Sequence, residues 1–169
     1  MSQLETSQMS KHPHLSNRGF SLIELLVVVA VILVIAAIAI PNFLRSKLRA
    51  NEASTVQSLR NISTAELIYS TTYGIQFSTN LPQLSGSGIN PDQNNAGLID
   101  SVLAGGIKSG YVFNYTPILT DSQGHTATFS LTADPQSSMS GQLHFYTDQS
   151  CVIRSNVTGP AGPTDLPLN

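Results

Sequence analysis

From Leu25 to Pro41 the chain reads LLVVVAVILVIAAIAIP, an apolar run with no charge and no hydrogen-bonding side chain. With Phe20 to Glu24 it reaches roughly 20 residues, the length at which an α-helix crosses the hydrocarbon core of a bilayer. A helix apolar on every face must be enclosed by lipid or protein. Of the 169 residues, about 130 then remain for one modest core, too few for a large enzyme fold. Lys11 and Arg18 precede the run, and Arg45, Lys47 and Arg49 follow it.

A cleaved secretory signal has a shorter apolar core that ends in small residues at the cut. This run is longer and ends in Pro41-Asn42-Phe43-Leu44. A plain signal anchor fits the length but leaves Glu24 unexplained. A charged side chain costs on the order of 2.5–3.5 kcal/mol at the centre of a membrane helix, and less toward its end. Glu24 is therefore a functional candidate, the alternative being a residue at head-group level.

The segment Arg18-Gly19-Phe20-Ser21-Leu22-Ile23-Glu24-Leu25-Leu26 resembles the class III signal of type IV prepilins and pseudopilins. The resemblance rests on the Gly-Phe junction, the glutamate five residues into the mature chain and the proline at the twenty-second, Pro41. It covers roughly residues 18–65, and the rest matches only in layout. It implies that a prepilin peptidase cuts between Gly19 and Phe20 and methylates the new amino group of Phe20. The cut lies on the cytoplasmic side, so the rod is kept, and Lys11 and Arg18 in the leader agree with the positive-inside rule. Gly19, without a Cβ, lets the backbone enter a tight cleft. Glu24 and Phe20 become the assembly pair, a buried carboxylate answering a cationic chain end. Such a pair sets register more than net stability, because desolvation offsets the attraction.

Pro41 removes a helical hydrogen bond, and a kink is expected near it. Beyond it Ala53, Val56, Leu59, Ile62, Ala65 and Tyr69 recur at three- and four-residue spacing and predict an amphipathic helix packed by that stripe. Arg49, Glu52, Arg60 and Glu66 are placed mostly on other faces, and Gly74 is a stop signal. Residues 78–110, rich in Ser, Asn, Gly and Pro, read as a loop, with a short helix within Ala96 to Ala104. The oxygen-rich stretch Asn90 to Asn95 matches no defined calcium loop and reads as a turn. Strands are expected where Tyr111, Phe113 and Tyr115 alternate, where Ala127, Phe129, Leu131 and Ala133 alternate, and on both sides of the Asp148-Gln149-Ser150 turn.

The fold class is thus α+β. A long N-terminal membrane-spanning helix, kinked near Pro41, packs on a small antiparallel sheet of three or four strands, the lollipop layout of pilins. The expected divisions are a cleaved leader (1–19), a transmembrane or filament-core helix (20–41), an amphipathic helix (42–77), an αβ loop (78–110), a β head (111–155) and a flexible tail (156–169).

Charged residues make up 11% of the chain, against about 25% in soluble domains. The net charge of −2 gives no electrostatic reason for nucleic-acid binding. Cys151 is the single cysteine, so no intrachain disulfide forms, and a small buried apolar residue is expected there. No catalytic group, metal site or cofactor is expected. His12 and His14 fall in the leader, His125 and His144 stand apart from cysteine or paired carboxylates, and no GK[ST] follows Gly105-Gly106. The resemblance implies a structural subunit of a type IV pilus-like filament, held in the inner membrane with a periplasmic head. An assembly platform and its ATPase would then raise it into an extracellular homo-oligomeric fibre. The alternatives are a pseudopilin of a type II secretion system, with a periplasmic filament, and a minor pilin serving adhesion or DNA uptake. The absence of tryptophan weighs against the first, the paucity of basic residues in the head against DNA uptake.

Overall fold

The computed structural model describes residues 19–86, 90–120, 122 and 124–168. Expectations that fall on Met1 to Arg18, including Lys11, Arg18, His12 and His14, lie outside the described residues. The chain divides into two compact units at Ile40 and Pro41.

Helix α1 (Leu22–Tyr73) is a single element of 52 residues with Pro41 inside it. Proline has no N–H to donate, so the carbonyl of Ala37 loses its usual helical partner. In the first unit none of the residues from Leu22 to Ile40 is buried, and their large apolar side chains are about half exposed or more. The helix closes at Gly74, whose φ of 65° is one that L side chains rarely adopt and whose N–H donates to the Ser70 carbonyl at 3.2 Å. That is the usual glycine end of a helix, at the position the sequence indicates.

In the second unit the chain continues through α2 (Leu81–Leu84), α3 (Ser101–Ala104), β1 (Ile107–Lys108), β2 (Tyr111–Thr120), β3 (Thr126–Pro135), β4 (His144–Asp148) and β5 (Arg154–Asn156). The five strands form one antiparallel meander in sequence order. The expected strands are present, except that the last, expected over Cys151 to Arg154, begins only at Arg154; the two-residue edge strand β1 is additional. The two short helices punctuate the expected loop. Each begins at a side-chain cap, Asn80 accepting from the Gln83 N–H and Asp100 from the Leu103 N–H.

One core joins Leu59, Ile62, Ala65 and Tyr69 of α1 to Tyr111 and Phe113 of β2, Phe129, Leu131 and Ala133 of β3, and Phe145 of β4. Phe77 and Phe129 meet edge to face with centroids 5.0 Å apart, and Tyr115 stacks on Phe129 at 5.3 Å. Alternation along β3 is clean from Phe129 onward, but Thr126 is buried and Ala127 only half-buried. The pairing of β2 with β3 shifts between Pro117 and Leu119 and again between Leu119 and Thr120. The second shift leaves Ala127 of β3 without a paired residue, and such an irregularity reverses which side chains face inward.

Two polar contacts fix the loop before β4 to α1. Glu52 Oε1 accepts from the N–H groups of Gln142 (2.9 Å) and Leu143 (3.3 Å), and Asn51 donates to the Ser140 carbonyl at 2.8 Å. A Cβ added at Gly141 would collide with the Tyr111 hydroxyl, which itself donates to the Leu143 carbonyl at 3.0 Å. Residues 156–168, expected as a flexible tail, are tied to β5 by hydrogen bonds. The Leu168 N–H donates to Ile153, Ser155 N–H to Leu166, and Arg154 to the Asp165 carbonyl.

Two residues depart from the sequence reading. Glu66 was placed off the apolar stripe, yet it is wholly buried. It lies four residues after Ile62 and three before Tyr69, on the same helical face. Cys151, expected in the core, is exposed and free. It closes the β4–β5 turn at φ 59°, with its N–H donating to the Asp148 carbonyl at 2.9 Å.

Candidate functional site at the N-terminal end of the rod

Gly19, Phe20 and Ser21 precede the first helical residue, Leu22, and are exposed. A Cβ added at Gly19 would meet nothing within 4 Å, so packing within this chain does not explain the glycine. Phe20 is 82% exposed. An irregular, accessible backbone directly ahead of a helix is what a protease cleft requires, because a helix cannot be cut without unwinding.

Glu24 sits in the first turn of α1. One of its carboxylate oxygens accepts a hydrogen bond from the Ser21 backbone N–H at 2.8 Å. The Ser21 carbonyl accepts from the Leu25 N–H at 3.3 Å, which makes Ser21 the residue that caps the helix. Ser21-Leu22-Ile23-Glu24 is thus the Ser-x-x-Glu pattern in which the third helical residue reaches back to the cap. The sequence reading missed this role of Ser21 and Glu24, although the spacing carries it. A carboxylate here is also favoured by the partial positive charge of the helix N-terminus.

Phe20, Ile23, Glu24, Val27 and Val28 line a shallow, largely apolar groove. The structure therefore gathers Gly19, Phe20 and Glu24 at one end of the rod, with the carboxylate beside apolar surface. Pro41 lies beyond the first unit's last residue and takes no part in this end. The remaining polar groups of note lie in the second unit. His144 Nδ1 is 2.6 Å from Asp134 Oδ1 across the β3–β4 pair. Among the described residues, no group of three or more His, Cys, Asp or Glu could hold a metal ion.

Residues 15–40 match the model of the prokaryotic N-terminal methylation motif. The chain is similar to the type IV major pilin protein PilA of Myxococcus xanthus, 48% identical over 50 residues, which is 30% of this chain and 23% of that protein. It is also similar to the type IV wide pilus major component PilA4 of Thermus thermophilus, 54% identical over 35 residues, 21% of this chain and 27% of that protein. The chain thus spans about a quarter of the length of the curated relatives it matches. No solved structure matches it. The N-terminal segment is a prepilin-type methylation motif. By that segment the chain resembles the type IV pilins.

Proposed function

We propose that the chain is the precursor of a structural subunit of a type IV pilus, cut between Gly19 and Phe20, methylated at Phe20 and assembled through its N-terminal rod. The observation that carries this is an apolar helix with no buried residue in its first unit, headed by an accessible Gly-Phe junction and a carboxylate in its first turn. Before cleavage, Glu24 is satisfied by the Ser21 N–H. Cleavage leaves a cationic amine on Phe20, the residue next to that cap. In a bundle of rods the amine of one copy can meet Glu24 of another, and a copy docked out of register would leave a buried charge unpaired, at a cost of about 3–5 kcal/mol. Glu24 thereby sets the stagger between subunits. Pro41 gives the rod a point at which to bend.

In this reading the subunit waits in the inner membrane with its second unit in the periplasm, and an ATPase-driven platform raises it into an extracellular fibre. The likeness of the N-terminal segment to two major pilus components supports the pilus over the secretion pseudopilus. Intact-mass analysis of fibres from the native host tests the processing. The expected mass lacks the first 19 residues and gains one methyl. Uncut chain in the fibres would refute it. Deleting the gene should abolish surface fibres and leave protein secretion intact; the converse result would assign the chain to the secretion machinery.

A further inference from the structure

Arg45, Lys47 and Arg49 fall within five consecutive residues of α1, beginning five positions after Ile40. All three are exposed. The described ion pairs, Lys108–Asp100 and His144–Asp134, include none of them. The nearest acid along the helix, Glu52, is engaged by the backbone of Gln142 and Leu143. Past Arg60 the balance reverses, with two basic residues, Lys108 and Arg154, against seven acidic ones. Of those two, Lys108 is paired with Asp100 at 3.0 Å and Arg154 donates to the Asp165 carbonyl at 2.8 Å. Arg60, also exposed, stands apart farther along α1, so three of the four basic residues outside the described contacts are gathered next to the apolar run.

The concentration of basic residues on the cytoplasmic side of a membrane span accounts for Lys11 and Arg18. It does not account for these three on the other side of the run. Within the second unit, helix rise places Arg45 about 6 Å and Arg49 about 12 Å past Pro41, the last residue of the apolar run. Side chains on a helix lean toward its N-terminus, here toward the membrane, and long basic side chains extend their charge to the interface. The head-group layer of one leaflet is about 5–8 Å thick. Each of the three cationic groups can reach it.

We propose that Arg45, Lys47 and Arg49 form a collar that binds anionic phospholipid head groups on the outer face of the membrane and holds the stored subunit until it is extracted. This rests on the membrane-stored reading above. The acidic surface of the rest of the second unit is repelled by the same lipids, so the collar is the point of contact. Extraction into a fibre must break these contacts, which makes the collar a brake on assembly.

The test uses the full chain in vesicles of equimolar phosphatidylcholine and phosphatidylglycerol, with spin-labelled forms of each lipid reporting which one borders the protein. A basic residue at the surface favours anionic lipid by about fivefold locally. The expected result is a severalfold preference for phosphatidylglycerol that falls toward parity in the Arg45→Gln/Lys47→Gln/Arg49→Gln variant and in high salt. Equal preference in the original and the variant overturns the proposal. So does an unchanged lipid preference accompanied by loss of fibres in the variant, which would assign the collar to a second copy of the chain. Alkali extraction of the same vesicles separates the two readings. Release of both proteins would refute the membrane-spanning rod, whereas retention of both with no lipid preference would refute the collar alone. Near-ultraviolet circular dichroism of the variant checks that the second unit is folded.

Discussion

The two units handle apolar surface in opposite ways. From Pro41 onward the chain encloses its own: Leu59, Ile62 and Tyr69 on α1 and Phe129, Leu131 and Phe145 on the sheet are essentially without solvent contact. From Leu22 to Ile40 it encloses none, and side chains such as Leu33 and Ile38 remain more than 60% exposed. Burying a Val, Leu or Ile side chain is worth about 1.5–3 kcal/mol, so the rod leaves tens of kcal/mol, on that order, unsatisfied within a single chain. One unit has a folding problem that it solves alone. The other has one that only lipid or further copies can solve, and the proposed assembly rests on that difference.

The polar groups differ in the same way. In the second unit Glu66 is buried without a cation among its described contacts. Ser78 donates to it through both its N–H and its hydroxyl, and Tyr115 donates to the Ser78 carbonyl at 2.8 Å. Burial pushes the Glu66 carboxyl above its ordinary range, and the bonds from Ser78 oppose that shift. At the rod, Glu24 is exposed and bonded only to the local backbone among the described contacts. One acid is finished within the fold, and the other is free to take a partner.

The largest effect expected is on assembly. Glu24→Ala should abolish fibres made from the variant alone while leaving the thermal midpoint of the second unit unchanged, as electron microscopy and calorimetry of the full chain in detergent would show. Normal fibres would erase the distinction between the two acids. Glu24→Gln sharpens it, since the amide oxygen still accepts from Ser21 but carries no charge; fibres should again be lost. Next in size, Leu59→Ala should destabilise the second unit by about 2–5 kcal/mol, whereas Leu33→Ala should leave its unfolding unchanged. Equal effects would mean that the units do not fold independently.

Third, Glu66 ties head stability to pH. A carboxyl whose folded pKa lies above its unfolded value binds more protons when folded. Stability should therefore rise as pH falls from above the folded pKa toward the ordinary carboxylate range, and level off below it. Denaturant titrations across pH should show this slope in the parent and not in Glu66→Gln. Glu66→Ala, which strips the Ser78 N–H of its acceptor, should cost about 1–3 kcal/mol. The smallest effect belongs to Cys151. Being exposed, its replacement by serine should change stability by no more than about 0.5 kcal/mol, and reductant should not shift the midpoint of the monomer.

Much of this was legible in the sequence where a single physical rule governs the residue. The stripe from Leu59 to Tyr69, the stop at Gly74 and the strand through Phe129, Leu131 and Ala133 follow from periodicity and from glycine's freedom at positive φ. Glu24 stood out because a charge beside an apolar run is costly. Less was legible where partners come from distant segments. Glu66 sits on the buried stripe, but its acceptability depends on Ser78, twelve residues away on another element. Cys151 was assigned to the core by residue type, and the turn set by Asp148 placed it outside. The reversal of facing near Thr126 depends on a pairing irregularity at Ala127, opposite Leu119 and Thr120, which neither strand shows alone. Ser21 was readable as a cap, yet the motif around it suggested processing first.

The central claim is that the exposed rod becomes the enclosed core of a fibre in which Glu24 meets the trimmed chain end of another copy. Electron cryomicroscopy of fibres from the native host tests it directly. The account predicts rods packed side by side from Phe20 to Ile40, with the Phe20 nitrogen of one subunit within about 4 Å of a Glu24 carboxylate oxygen of its neighbour. Rods held apart, with Glu24 facing bulk water, would contradict it.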